Sequence, residues 1–267
     1  MQLKNKSARL KRIIKRSGSC LIAFSGGTDS AFLLQAAAAA LPQDKILAVT
    51  ANSATYPGEE LRLAKKIARS LGVRHKVIRS RELSDPRFIV NTLRRCYFCK
   101  RGLFSELKKI ARGYGLKFVF DASNISDKED FRPGARAKEE LGIRSPLQEA
   151  GLSKLDIRAL SKSCGLATWD KPSSACLASR IPYGTPISRS ALKRVAGAEQ
   201  VLRKLKFSQA RVRHYGALCR IEVPKKEIRA LLDRGQALVD KFKKLGYNYV
   251  TVDLEGYRIG SLNEVIK

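Results

Sequence analysis

Six residues, Ser25-Gly26-Gly27-Thr28-Asp29-Ser30, constrain this chain more than any other stretch. They follow a compact apolar run, 20–24, and open onto a segment of strong helix formers, 31–41. The order is strand, glycine turn, helix. Two adjacent glycines let the backbone come close to an anion, and a helix N-terminus offers that anion N–H groups and the positive end of its dipole. Ser25, Thr28 and Ser30 add hydroxyl donors. A Walker loop is excluded, because GxxxxGK[ST] is absent and no lysine follows the glycines. The plainer alternative is a polar turn with Asp29 as cap or dipole partner. The full six-residue string behind a buried-type strand favours phosphate binding.

At 267 residues the chain can bury a sizeable core, in one large domain or two smaller ones. Charge is the outlier: 53 Lys+Arg against 24 Asp+Glu give a net +29. Such a balance favours anionic partners, whether nucleotides, RNA or acidic surfaces. General surface basicity is the alternative, since the basic residues run along the whole chain. The longest small-apolar run, 36–41, is far short of the ~20 residues a membrane helix needs, so no membrane partner is expected. The N-terminus is basic, but the run 20–24 is too short for a secretory leader and leads straight into the glycine loop. The cysteines, Cys20, Cys96, Cys99, Cys164, Cys176 and Cys219, are scattered, and a chain of this size needs no disulfide staples. Reduced thiols in the cytoplasm are expected.

Taken in order, residues 3–16 form a basic amphipathic helix with Leu10, Ile13 and Ile14 on one side. After the loop and its helix, 46–50 is an apolar run without alternation, as in a parallel strand covered on both faces. It ends in Thr50-Ala51-Asn52-Ser53, at the end of a strand where ligands of α/β folds bind. Residues 59–71 form an amphipathic helix closed by Gly72, 73–78 a strand, 103–114 a helix and 118–121 a fourth strand running into Asp121-Ala122-Ser123-Asn124. Strands alternating with helices predict an α/β fold, a doubly wound parallel sheet. Residues 125–134 are polar and loop-like, with helices to follow at 135–141 and 154–163. Residues 169–180 are small, polar and aperiodic, a functional loop joining two domains. From 187 the pattern is that of a small α+β unit: helix 189–205, strands 210–214 and 218–223 around Tyr215-Gly216-Ala217, helix 226–245 and strand 249–254. The expected domains are 1–186 and 187–267.

SGGTDS resembles the pyrophosphate loop (PP-loop) of ATP pyrophosphatases, which split ATP between the α and β phosphates and adenylate a substrate oxygen. Three further stretches narrow the resemblance. Arg95-Cys96-Tyr97-Phe98-Cys99-Lys100 precedes the helix with Leu103-Phe104. Asp121 to Asn124 runs on through Asp127 and Asp130 to Arg132-Pro133-Gly134. Lys171-Pro172-Ser173 and Ala175-Cys176-Leu177 lie in the loop 169–180. Together these motifs resemble the LarE family of ATP-dependent sacrificial sulfur transferases, over nearly the whole chain and in the right order.

That resemblance implies a small nucleotide substrate, a pyridinium dicarboxylate mononucleotide, with ATP and Mg²⁺ as the activating pair. It implies ATP contacts at Ser25, Gly26, Gly27, Thr28, Asp29 and Ser30, at Thr50, and at Asp121 and Asn124. Asp29 either holds the metal or caps the helix. Cys176 is the implied sulfur donor, left as dehydroalanine. Lys171 and Arg180 flank it and can lower a thiol pKa. Arg211 and Arg213, two apart on one strand face, are implied for the substrate phosphate together with Arg180 and Lys171, and Glu199 and Glu222 as catalytic carboxylates near the cysteine or a metal. A solvated strand face with surface ion pairs is the alternative. Cys20, Cys164 and Cys219 are expected as packing residues. Cys96-x-x-Cys99 is half of a metal constellation and weak alone. The family also implies a homo-oligomer, hexamers built from trimers.

Three rivals remain. A tRNA-thiolating member of the superfamily would suit +29 but lacks an RNA-binding module here. An ammonia-dependent ligase of the NAD or GMP synthetase type would not need Cys176. A nucleotide-binding regulatory module would keep the glycine loop without the cysteine loop.

Overall fold

The computed structural model describes residues 2–266 except Pro57, residues 130–133, Ser173, Ser174, Ser208 and Ile259. Asp130, Arg132, Pro133, Ser173 and Ser174 of the motifs above therefore lie outside the described residues. The chain divides into two compact units. The first comprises Met1–Ser53, Gly58–Glu82 and Leu93–Ser174, and the second Ala54–Pro57, Leu83–Thr92 and Ala175–Lys267.

The first unit opens with α1 (Leu3–Ser17), which buries Leu10 and Ile14. Then come β1 (Cys20–Ala23), α2 (Thr28–Ala38), β2 (Ile46–Asn52), α3 (Gly58–Ser70) and β3 (Arg74–Arg79). A short helix, α4 (Pro86–Ile89), belongs to the second unit. The first unit resumes with α5 (Arg95–Gly113), β4 (Phe118–Phe120), α6 (Gly134–Glu140), α7 (Pro146–Glu149) and α8 (Lys154–Ser163). Its four strands are all parallel in the order β3-β2-β1-β4. The chain steps outward from β1 to β2 to β3, then returns to the other side of β1 for β4. Strand order thus reverses beside β1, and the crevice at the carboxyl ends of β1 and β4 is where such sheets bind ligands.

Period-two alternation covers both faces of this sheet. Cys20 and Ile22 of β1 and Ile46 and Ala48 of β2 pack with Phe32 and Leu33 of α2, Ala64 and Ile67 of α3 and Ile157 of α8. Leu21, Leu47 and Val49 face the other way, onto Phe104, Leu107 and Ala111 of α5. Each of the Leu, Ile, Val and Phe side chains among these, when fully buried, stabilises the fold by roughly 1.5–3 kcal/mol relative to exposure. The fold is the doubly wound α/β sheet expected.

The second unit continues with α9 (Arg189–Lys204), β5 (Arg211–Tyr215), β6 (Leu218–Glu222), α10 (Ile228–Leu232), α11 (Gly235–Lys244) and β7 (Tyr249–Val252). β5 and β6 form an antiparallel hairpin turned at Gly216 (φ 67°), and β7 adds to β6 in parallel. Val212 and Ile221 pack under Leu202, Leu238, Phe242 and Tyr247.

Two expectations need correcting. The helix read at 226–245 is broken into α10 and α11, because Asp233-Arg234-Gly235 interrupts it with a residue that disfavours helix interiors. The Cys96-x-x-Cys99 motif does not precede its helix but forms the first turns of α5. The second unit takes up the chain at Ala175, ahead of the 186/187 boundary. The backbone explains this last difference. Leu177 N–H donates to Thr55 O at 2.9 Å and Ile187 N–H to Ile89 O at 2.8 Å. Asn91, 0% exposed at φ 59°, donates its side-chain amide to Pro182 O at 2.7 Å and Thr185 O at 2.8 Å. Among the described residues no helix is long and apolar enough to cross a membrane.

Candidate functional site

At Phe24 the chain is still paired to the sheet, its N–H donating to Val49 O at 2.8 Å. It then leaves the sheet through Gly26, at φ +71°. A Cβ on Gly26 would lie 3.0 Å from Ala64 Cβ and 3.1 Å from Ala64 N, so α3 packs against bare backbone there. Two serines close the loop. Ser25 Oγ and Ser30 Oγ are 3.0 Å apart, Ser30 Oγ donates to Gly27 O at 3.1 Å, and Gly27 N–H reaches Ser25 Oγ at 3.3 Å. Helix α2 starts at Thr28, earlier than the 31–41 segment read from the sequence, with Gly27 at its N-cap and no side chain capping it. Its first N–H groups have no partner within the helix, so the turn presents backbone donors, hydroxyls and a dipole end together.

Asp29, in the first turn of α2, does not cap the helix. Its carboxylate accepts from Lys154 Nζ at 2.7 Å and Asn124 Nδ2 at 3.4 Å. Thr28 Oγ1 donates to Thr168 O at 2.7 Å, tying the loop to the segment after α8. Thr50, at the end of β2, donates to Phe24 O at 2.7 Å and lies 2.8 Å from His75 Nε2. With the hydroxyl proton on Phe24 O, the imidazole is the donor, as a neutral ring. Burial, and then the charge of Lys65, hold the His75 pKa below its ordinary value. Asp121 sits in its own cluster, accepting from Ser145 Oγ at 2.5 Å and Ser123 Oγ at 2.6 Å beside Lys138 Nζ at 3.3 Å. Thus the loop, Asp29 and Asn124 come together directly, Thr50 touches the residue entering the loop, and Asp121 stands at the head of β4.

Sequence reasoning missed Lys154, Lys138 and His75. Ser153 and Asp156 do form a capping box on α8, a legible helix-start signal. It says where Lys154 begins but not where its ammonium ends. Among the described residues no three His, Cys, Asp or Glu side chains gather as a metal site. Asp29 supplies one carboxylate, which fits a magnesium ion carried in on nucleotide phosphates better than a resident ion.

In the second unit Cys176 is exposed, at the N-cap of a 3₁₀ turn, Leu177–Arg180. Its carbonyl accepts from Ser179 Oγ at 2.7 Å, Ser179 N–H at 2.9 Å and Arg180 Nη1 at 3.1 Å. Arg180 forks onto Glu199 through Nε at 2.7 Å and Nη2 at 3.2 Å. Arg213 forks onto Glu222 at 2.8 Å twice, and donates to Ser179 O at 2.7 Å and Ser261 Oγ at 2.6 Å. These are not surface pairs: Arg180 is 2%, Glu199 4%, Arg213 6% and Glu222 0% exposed. The solvated-face alternative is therefore excluded. Glu199 and Glu222 are each engaged by a guanidinium fork, and both forks lead back to the turn that carries Cys176.

Arg211 Nη1 donates to Ala210 O at 2.9 Å, and its guanidinium lies 5.2 Å from the Tyr257 ring centre. Burial, then the neighbouring charge of Arg180, push its pKa below the usual arginine value. Lys171, in the first unit, is ion-paired to Glu60. Cys20 and Cys219 are buried as expected, and burial pushes their thiols up to about 12. Cys164 corrects the packing expectation: it caps α8 and is exposed.

The family model described as "Queuosine biosynthesis protein QueC" matches residues 19–92, the first strands and the loop. The chain is 40% identical over 266 residues to an uncharacterized protein of Synechocystis sp. (strain ATCC 27184 / PCC 6803 / Kazusa), covering 99% of both. It is 30% identical over 257 residues to an uncharacterized protein of Methanocaldococcus jannaschii, covering 95% of this chain and 97% of that one. It is also 37% identical over 264 residues to the pyridinium-3,5-bisthiocarboxylic acid mononucleotide synthase of Lactiplantibacillus plantarum, covering 99% of this chain and 96% of the synthase. A likeness of that degree along the full length, joined to a glycine loop at the head of a parallel sheet, shows that the chain belongs to the family of this synthase, the LarE family of PP-loop enzymes.

Proposed function

We propose that this chain is a single-turnover, ATP-dependent sulfur transferase that donates the sulfur of Cys176 to a pyridinium dicarboxylate mononucleotide. The observation that carries the reading is the setting of Cys176: an exposed thiol, as Cys96 and Cys164 also are, set on a turn fixed through its own carbonyl and tied to two buried arginine forks. The full-length likeness to a mononucleotide synthase supports the substrate class.

The chemistry proceeds in three steps. A substrate carboxylate oxygen attacks the α-phosphorus of ATP, the bond to the bridging oxygen breaks, and pyrophosphate leaves. The donors of Ser25 to Ser30 take up the charge that moves onto the leaving group. Magnesium, when bound, neutralises phosphate charge, with Asp29 as its protein ligand. Thr50, Asp121 and Asn124 line the strand ends that receive the nucleotide. Next the Cys176 thiolate attacks the acyl carbon and expels AMP, giving a thioester. A base then removes the Cys176 Hα. The electron pair forms the Cα–Cβ double bond, the Cβ–S bond breaks, and sulfur departs as a thiocarboxylate, leaving dehydroalanine. In this reading Arg211 serves the substrate phosphate, while Arg213, expected beside it in that role, is committed to Glu222, Ser179 O and Ser261 Oγ and holds the turn. Arg180 and Lys171 add positive charge on either side of Cys176 in sequence. Glu199 and Glu222 hold the arginine forks, so that a turn losing its own side-chain sulfur keeps its shape. A cytoplasmic homo-oligomer, a hexamer built from trimers, completes the proposal.

The test is to weigh the intact protein after incubation with ATP, Mg²⁺ and the mononucleotide. The expected outcome is loss of one H₂S equivalent, mapped to Cys176, and no second turnover. Product accumulating catalytically over an unchanged protein mass would sink the sacrificial route. Cys176→Ala should still release pyrophosphate but transfer no sulfur.

A further inference from the structure

Sulfur transfer from Cys176 leaves the Cys96-x-x-Cys99 pair without a role. Both cysteines lie in the first turns of α5, Cys96 exposed and Cys99 half-buried. The two residues between them anchor the turn. Tyr97, 8% exposed, donates its hydroxyl to Glu140 Oε2 at 2.6 Å, at the end of α6. The Arg94 guanidinium lies 5.6 Å from the Tyr97 ring centre and 5.7 Å from that of Phe98. The thiols are thus left at the margin of a turn held by its middle residues.

Residues three apart stand one above the other on a helix. Helix geometry puts their Cα atoms about 5 Å apart, inside the window of ~4.4–6.8 Å that a disulfide spans. Their Cβ atoms are about 5–6 Å apart, so closing the bond draws them together by roughly 1–2 Å. The start of α5 permits this. Its N-cap makes no side-chain bond, and Tyr97 N–H donates to Arg94 O at 3.0 Å, a bond of the tighter 3₁₀ kind. In that geometry side chains three apart eclipse. A disulfide that must be drawn closed is also one that reopens readily. The surroundings favour an anionic oxidant: Arg94, Arg95, Lys100 and Arg101 flank the thiols, and no acid occurs between Asp85 and Glu106.

We propose that Cys96 and Cys99 are a reversible dithiol–disulfide pair that exchanges with small anionic disulfides of the glutathione disulfide class. The exposed Cys96, as thiolate, attacks one sulfur of the small disulfide. That S–S bond breaks and one small thiolate leaves. Cys99, as thiolate, then attacks the Cys96 sulfur of the mixed disulfide, and the second small thiolate leaves. Two protein S–H groups are oxidised to one S–S bond, one small disulfide is reduced to two thiols, and the two protein protons end on the departing sulfurs. A second thiol one turn away also stops oxidation of Cys96 at a recoverable stage.

The test equilibrates the full chain in buffers of reduced and oxidised glutathione, alkylates the remaining thiols, digests with trypsin without reduction and weighs the peptides. Cleavage after Arg95 and Lys100 places both cysteines in one peptide, Cys96-Tyr97-Phe98-Cys99-Lys100. In the oxidised buffer this peptide should escape alkylation and be lighter than the dithiol form by two hydrogens. In the reduced buffer it should return to the doubly alkylated form. In Cys99→Ser the same peptide should carry one glutathione on Cys96 and never the lighter form. A wild-type peptide that takes up glutathione on both sulfurs and is never found lighter would overturn the proposal. So would a pair that stays fully alkylatable under conditions that glutathionylate the exposed Cys164 and Cys176, or a disulfide from Cys96 or Cys99 to any other cysteine. Each of these outcomes leaves the sulfur-transfer reading intact, because that reading rests on Cys176.

Discussion

The two units handle polar groups in opposite ways. In the first, the loop at the head of the sheet is made of backbone N–H groups and hydroxyls from residues adjacent in sequence. Its carboxylate Asp29 meets a half-exposed lysine at the margin. In the second, Glu199 and Glu222 are buried, each in a bidentate fork with an arginine on another element. The difference fits what each must do. A phosphate loop needs donors turned toward an incoming anion, so its polar groups are not locked into buried forks: Thr28 and Ser30 are buried on backbone carbonyls, while Ser25 and Asp29 keep some exposure. A turn that carries a sacrificed cysteine needs a frame that survives the loss of the side chain, and buried ion pairs hold geometry strongly once both partners are present. The cost of such a frame is fragility to the removal of one partner.

That fragility gives the largest expected effect. Glu222→Ala leaves Arg213 buried beside Arg220 without its carboxylate. Breaking a buried pair in this way costs about 3–5 kcal/mol. Denaturant unfolding followed by far-ultraviolet circular dichroism checks it, and a loss under about 1 kcal/mol, the range of surface pairs, would erase the contrast between the units. A smaller effect is expected on the loop. Gly26→Ala places a side chain at φ +71° and 3.0 Å from Ala64 Cβ. The strain is roughly 1–3 kcal/mol, and ATP affinity should fall with it, because the backbone can relax only by shifting the donors. Stability and ATP affinity both unchanged in this variant would show that the loop is not held as tightly as its packing implies.

The same contrast governs what could be read from sequence. The loop, β1 and α2 are contiguous, so composition and order alone place them. The buried run of β2 follows from its unbroken apolar stretch, but the switch of strand order beside β1 does not, because residue pattern says nothing of which side of β1 receives β4. The start of α5 was hidden because Arg94 stands at its N-cap and makes no side-chain cap bond, leaving no Ser, Thr, Asp or Asn signal to mark it. Cys176 stood out because a thiol in a small, polar loop has no packing reason to be there. The frame that holds it did not, since Arg180 and Glu199 lie on different elements, and nothing in a string of residues says that Arg180 and Arg213, out of 53 cations, are buried against Glu199 and Glu222. Asn91 is the extreme case: a single left-handed, fully buried residue in no recognisable motif, whose amide ties three carbonyls of the segment 181–185.

The smallest expected effect uses the two histidines, one in each unit. His75 is held neutral by burial and then by Lys65, against Thr50, and His214 by burial and then by Arg194, against the Tyr247 hydroxyl at 3.1 Å. Both have folded pKa values below the ordinary 6.5. The unfolded chain therefore binds more protons as pH falls, so stability contributed by these groups is complete above about 6.5 and is lost as pH drops through the lowered folded values. Thermal melts from pH 7.5 to 5 should show a falling melting temperature whose slope lessens in His75→Gln, lessens in His214→Gln, and lessens further in the double variant. Glutamine keeps a neutral donor and acceptor at each site but does not titrate. If His75→Gln alone removes most of the slope, the pH sensitivity belongs to the nucleotide unit, and ATP affinity should fall over the same range through the Thr50 contact. If His214→Gln removes it, the acid-sensitive unit is the one with the buried arginine forks, and ATP affinity should be level across that range.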